Sequence, residues 1–354
     1  AHRLRVGRQA DSTISICRRT MSKPHTVGFK TGERNIFLHL LTACNLSCAH
    51  CYINPKEHGS SMLSREQMEK WIRLFSHPAK KSNIVFLGGE PTMHPDLVHG
   101  IEVAKSCGYA VTVDTNGYLF HDFLKRVNPT HLDYLSFSLD GPDPQINDPI
   151  RGDGVFKVVT ANLRKAVERG ISTSLIYTVS SRNIAGLERM APLLEELQVK
   201  RFFIQVIGLR GKSAAAAKNA QAPLQVEPDR WLEVVPRVAE AVSQLGIAVI
   251  YPKVFLEEGE IFECAGKVAE NFFIFPNGRV YQCPLCEDHP IHSYEIRDDK
   301  LVKVDGLTEE RLFELDIAEG CVMNKLLQPD TIAYDDSGKP LHRVSCCLLK
   351  QRLG

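Results

Sequence analysis

Three thiols stand close together in Leu41-Thr42-Ala43-Cys44-Asn45-Leu46-Ser47-Cys48-Ala49-His50-Cys51-Tyr52, three residues and then two apart. Thiolates are soft donors, so such a loop suits an iron–sulfur cluster or zinc. A [4Fe–4S] cluster is normally held by four cysteines, and this loop is one short, so one iron would stay open to a small molecule. Zinc would need a fourth ligand, which His50 or His58 could offer. The spacing, directly after a strand candidate, favours the cluster. A second group, Cys264, Cys283, Cys286, Cys321, Cys346 and Cys347, fills the last quarter of the chain. Cys17 and Cys107 stand alone and read as ordinary buried thiols.

The 11 cysteines are poorly spread for a disulfide scaffold, because about 210 residues between Cys51 and Cys264 hold a single one. With no secretory apolar region at the N-terminus, a reducing compartment, the cytoplasm, is expected. Lys plus Arg number 43 against 42 Asp plus Glu, a net charge of +1, which leaves no surplus to neutralise phosphates and argues against nucleic acid as a partner. Hydrophobic residues at 44% suit a globular core. No run reaches the roughly 18 apolar residues of a membrane span.

The elements that must position these thiols follow from periodicity. Residues 1–34 read as a flexible arm, Arg-rich over its first 20 positions. Short apolar strands are expected at Asn35–Leu41, Asn83–Leu87, Ala110–Asp114, Leu132–Ser138, Ser172–Val179 and Arg201–Ile207. Amphipathic helices fall between them at Ser64–Phe75, Asp96–Ser106, His121–Val127, Val155–Arg169 and Ala185–Leu197. Six strand–helix repeats imply a parallel α/β sheet, here a partial (β/α)6 barrel over 35–250, with chemistry at the C-terminal ends of its strands. Residues 209–226 read as a loop and Asp229–Leu245 as a helix. Residues 251–354 read as a small cysteine-rich α+β domain, with a Pro276-Asn277-Gly278 hairpin turn drawing Cys264 towards Cys283.

The Cys-x3-Cys-x2-Cys loop after the first strand resembles the signature of the radical S-adenosylmethionine (SAM) enzymes. The resemblance continues through Gly88-Gly89-Glu90-Pro91, Thr115-Asn116-Gly117, Ser138-Leu139-Asp140-Gly141, Arg151-Gly152-Asp153-Gly154 and Thr178-Val179 with Asn183, in order on successive units over 35–207. It implies that Cys44, Cys48 and Cys51 hold a [4Fe–4S] cluster whose open iron chelates SAM. It also implies that Gly88, Gly89, Glu90, Asn116, Ser138, Asp140, Thr178 and Asn183 line the SAM pocket. His50 would stand beside the adenine, where the family often has another aromatic ring. Arg151 is either structural or a partner of the SAM carboxylate.

Cys264, Gly278 and Cys283 resemble the start of the SPASM and twitch extensions, which bind auxiliary iron–sulfur clusters. Six late thiols cannot fill two four-iron clusters, so one is expected, from Cys264, Cys283, Cys286 and one of Cys321, Cys346 or Cys347. Zinc is the competing reading of that region taken alone. The Cys346–Cys347 run also resembles a stretch of radical SAM enzymes that build an arsenic-containing amino acid, which leaves substrate-binding thiols open.

These resemblances imply an enzyme that cleaves SAM to a 5′-deoxyadenosyl radical and abstracts hydrogen from a peptide or protein side chain. A small-molecule or cofactor-building enzyme, and a non-enzymatic electron carrier, are the alternatives. A low-potential donor such as flavodoxin or ferredoxin would supply the electron. His39, Gln205, Tyr251 and Tyr281 are unassigned candidates for proton transfer, His39 reading foremost as a core residue.

Overall fold

The computed structural model describes residues 24–218 and 223–354. Its strands are β1 (His25–Val27), β2 (Glu33–His39), β3 (Lys81–Leu87), β4 (Ala110–Thr115), β5 (Tyr134–Ser138), β6 (Thr173–Val179) and β7 (Arg201–Val206). They continue with β8 (Ala248–Pro252), β9 (Glu270–Ile274), β10 (Arg279–Tyr281), β11 (Tyr294–Arg297), β12 (Lys300–Lys303) and β13 (Lys350–Leu353). All belong to one sheet in the order β1-β13-β8-β7-β6-β5-β4-β3-β2-β9-β10-β11-β12.

From β2 to β8 neighbours in sequence are parallel neighbours in space, each step crossing through a helical connection. This is an α/β fold with a partial barrel-like sheet. Strand alternation sets its two faces. Ile84, Phe86, Val111, Val113, Phe202 and Ile204 are buried under the helices. Asn83, Val85, Asp114, Phe203 and Gln205, on the opposite face, are half-buried around the lumen.

The helix at Arg65–Phe75 begins with a full capping box between Ser64 and Gln67. It buries Met68, Trp71, Ile72 and Phe75 against the sheet. Six expected strands are present within two residues at either end. The structure adds a seventh parallel strand, β8, so the repeat exceeds the expected six. The helix expected at Ala185–Leu197 is two, Ile184–Leu187 and Met190–Glu196. Lys212–Lys218 is helical within the expected loop, where an alanine run supplies helix propensity without an apolar period.

Within the expected arm, residues 1–23 lie outside the described residues, and β1 pairs antiparallel with β13. The Asn277-Gly278 hairpin joins β9 to β10 as expected. Strand β9 also pairs in parallel with β2, so the late cysteine segment shares the barrel's sheet. That pairing brings its cysteines beside the first loop.

Candidate active site

The loop after β2 is pinned from three sides. Gly89 N donates to Leu41 O at 2.8 Å and Glu90 N to Ala43 O at 2.9 Å. A Cβ on Gly89 would stand 2.0 Å from Ala43 O, so only glycine permits this approach. Gly88 adopts φ +147° against Leu41. The two glycines thus serve contact between the turn after β3 and the cysteine loop.

Glu90 is fully buried, and its carboxylate is engaged inside the protein. Oε1 accepts from Thr92 N (3.1 Å), Thr92 Oγ1 (2.6 Å) and Thr115 Oγ1 (2.7 Å), while Oε2 accepts from Asn116 N (2.7 Å). Burial pushes its carboxyl up and these bonds pull it down. Glu90 thereby aims Asn116, whose Nδ2 donates to Asn45 Oδ1 at 2.7 Å and to Cys44 Sγ at 3.5 Å.

On the other side, Ala49 N donates to Ile150 O at 2.8 Å, and Cys48 Sγ lies 3.9 Å from Arg151 O. Asp140, wholly buried at the end of β5, meets Arg151 Nε at 2.7 Å and His50 Nε2 at 3.1 Å through one oxygen. Its other oxygen accepts from Thr178 N at 2.8 Å. Burial alone would raise the Asp140 carboxyl, but Arg151 and His50 outweigh it and hold the group down at about 2. Asn183 ties the same corner, donating to Asp140 O and Thr178 O. Ser138 and Thr178 are half-buried on the lumen face of β5 and β6.

The cysteine loop therefore brings together Cys44, Cys48, Cys51, His50, Asn116, Asp140 and Arg151. Burial pushes the Cys44 thiol up to about 11 and raises Cys48, the latter against the pull of Arg151. Such thiols ionise readily only when a cationic centre takes the proton's place. His50 Nδ1 and Asn45 Nδ2 are buried beside them with no hydrogen-bond partner among the described residues. Among the described residues, no three of His, Cys, Asp and Glu converge as ligands of one ion. The three thiol donors and the orphaned polar atoms fit a cluster with a polar ligand beside it.

His39 is buried between Ile274 O (3.0 Å) and Tyr52 OH (2.9 Å) and stacks on Phe275, and burial holds its imidazole down at about 3, hence neutral. The segment Arg210–Lys212 contacts Cys51 and Tyr52, which no motif announced. Gln205 faces the lumen, whereas Tyr251 packs in the helix-side core and Tyr281 donates to His289 O. Cys264, Cys283, Cys321, Cys346 and Cys347 line one apolar cavity, and Cys286 packs in the hydrophobic cluster beside it. All ten described cysteines are free of disulfides.

Residues 38–194 match the family model of the radical SAM superfamily. Residues 38–194 form a radical SAM domain. This family implies a [4Fe–4S] cluster and SAM as its cofactors. The radical SAM chain is 32% identical over 228 residues to the Fe-coproporphyrin III synthase of Methanosarcina barkeri, a match spanning 62% of this chain and 55% of that protein. It is 30% identical over 263 residues to the mycofactocin maturase MftC of Mycobacterium tuberculosis, spanning 71% and 64%. The radical SAM chain thus spans between about half and two thirds of these curated relatives. Its fold is similar to that of Streptococcus suis SuiB bound to its precursor peptide SuiA, with TM-score 0.57 and 13% identity over 85% of this chain and 66% of that one.

Proposed function

We propose that this protein is a radical SAM enzyme that reductively cleaves SAM and abstracts hydrogen from a peptide or protein side chain. The single observation carrying this reading is the three-thiol loop held between the Gly88-Gly89-Glu90 turn and the Asp140–Arg151 pair. When bound, the cluster supplies the electron that splits SAM into methionine and a 5′-deoxyadenosyl radical. Cys44, Cys48 and Cys51 would hold three irons. Asn116 orients beside Cys44, and Gly88 and Gly89 bring their backbone against the Leu41–Ala43 stretch that leads into the cysteine loop. Asp140 and Arg151 form a charged wall that His50 joins through Asp140, with Ser138, Thr178 and Asn183 around it. Neutral His39 and Tyr52 close the side towards β9.

The late cysteines would hold one auxiliary iron–sulfur cluster, from Cys264, Cys283, Cys286 and one of Cys321, Cys346 or Cys347. Five of these thiols line one cavity and Cys286 packs beside it, which supports a single cluster. A flavodoxin- or ferredoxin-type donor would deliver the electron. Free thiols suit the cytoplasm, and no helix of the described residues is long and apolar enough to cross a membrane.

The relative named as a maturase, with the similarly folded SuiB bound to its precursor peptide, supports a peptide substrate. A small-molecule substrate is the second reading, favoured by the relative named as an Fe-coproporphyrin III synthase. Anaerobically reconstituted protein, given dithionite and SAM, is expected to release 5′-deoxyadenosine and methionine. No release under these conditions overturns the proposal.

A further inference from the structure

The turn after β7, Gly208 to Ser213, touches both cysteine regions at once. On one side, Lys212 N donates to Cys51 O at 2.8 Å, and Lys212 Nζ donates to Ser47 Oγ at 2.7 Å. On the other, Gly211 N donates to Asp288 Oδ2 at 2.7 Å, and Arg210 Nη1 donates to Pro284 O and to Glu287 Oε2. Those acceptors bracket Cys286. Between the two sides the Arg210 guanidinium lies over the Tyr52 ring, 4.9 Å from its centroid.

The turn has little freedom to give. Gly211 has φ +53°, and a Cβ there would stand 2.6 Å from Tyr52 O and 2.7 Å from Cys51 O. Ser213 Oγ receives Arg210 N at 2.8 Å and lies 2.7 Å from Gly208 O, closing the turn on itself. The side chain of Glu287 is 2% exposed and that of Arg210 18%. Desolvation offsets much of the attraction in such a pair, so its main effect is to fix geometry. Asn54 Nδ2 and His58 Nε2 grip the same far segment, at Asp288 Oδ1 (3.1 Å) and Glu287 O (3.0 Å).

The geometry points to the Arg210-Gly211-Lys212 turn as a rigid coupling that sets the Cys44–Cys51 loop against the Cys283–Asp288 segment, with Arg210 as its positioning residue. This rests on the reading that both cysteine regions hold iron–sulfur clusters. A cluster's spectrum and potential respond to nearby charge and to hydrogen bonding around its ligands. A change at residue 210 therefore reaches both centres.

The test isolates each centre. One background carries Cys44, Cys48 and Cys51 replaced by alanine; the other carries Cys264→Ala with Cys283→Ala. Arg210→Ala is introduced into both, and the anaerobically reconstituted, dithionite-reduced proteins are compared by electron paramagnetic resonance and iron content. The expected result is a shifted spectrum in both backgrounds, with SAM affinity in the second weakened on the order of tenfold. Arg210→Lys keeps the charge but not the planar fork and should give smaller shifts in both. Asp288→Asn, a milder loosening of the same turn, should also move both spectra and covers the case in which Arg210→Ala fails to fold. Shifts in one background alone, or in neither, overturn the coupling. Wild-type protein with iron for a single cluster refutes the two-cluster reading and the coupling together; two clusters with unmoved spectra refute the coupling only.

Discussion

Arg151 Nε lies 2.7 Å from Asp140 Oδ2, with the two side chains 8% and 0% exposed. Each charge has left water and depends on the other for compensation. Removing one partner of such a pair costs about 3–5 kcal/mol. Asp140→Asn should lower the unfolding free energy of the metal-free protein by that order, measured by chemical denaturation. Adding Arg151→Met, which removes the stranded guanidinium, should recover part of the loss.

Asp114, on the lumen side of β4, gives a pH signature. Burial pushes its carboxyl up to about 6 from an ordinary 3.8, against the pull of Arg201 and Ser136. Between those values the unfolded chain has released the proton while the folded protein keeps it. Stability therefore falls as pH rises from about 4 to about 6 and stays lowered above. Asp114→Asn abolishes this dependence. Its melting temperature relative to wild type should rise across that window, by an amount on the order of 1–2 kcal/mol in stability.

Glu90→Gln keeps shape but turns an acceptor into a donor. With four donors converging on the native carboxylate, at least one of Thr92, Thr115 or Asn116 is left facing an N–H. An unsatisfied buried group costs about 1–3 kcal/mol. Asn116 should lose its aim at Cys44, so SAM should bind on the order of tenfold more weakly. Equilibrium dialysis of SAM against the reconstituted variant checks this.

Gly89→Ala places a methyl where Ala43 O already stands. The cysteine loop must move to admit it. Iron incorporated at the first site should fall on the order of tenfold while the late cysteines keep theirs. Iron counted in this variant and in its combination with Cys264→Ala separates the two sites.

Strands β2 to β7 were legible because each carries a short apolar run, and the helix start expected at Ser64 is built as a full capping box with Gln67. The first cysteine loop and its facing turns were legible because glycine, cysteine and Asx residues punctuate strand ends. Strands β1 and β13 were not, since His25–Val27 and Lys350–Leu353 are short, carry little apolar patterning and pair across most of the chain's length. The parallel pairing of β9 with β2 is equally non-local. Glu90 reads in sequence as a ligand-facing acid, whereas its four internal bonds emerge only when Thr92, Thr115 and Asn116 fold onto it. Arg210 carries no motif. Its place depends on Tyr52 and Glu287, which are 235 positions apart in the sequence.

Replacing Cys44, Cys48 and Cys51 together with alanine tests the open-iron site most directly. Wild-type and variant proteins are reconstituted anaerobically, their iron and sulfide are counted, and 5′-deoxyadenosine is measured after addition of dithionite and SAM. Wild type should release 5′-deoxyadenosine, and the variant should release none while retaining the iron of its late cysteines. Undiminished SAM cleavage by the variant, or a wild-type loop that takes zinc in place of iron and sulfide, would contradict the assignment.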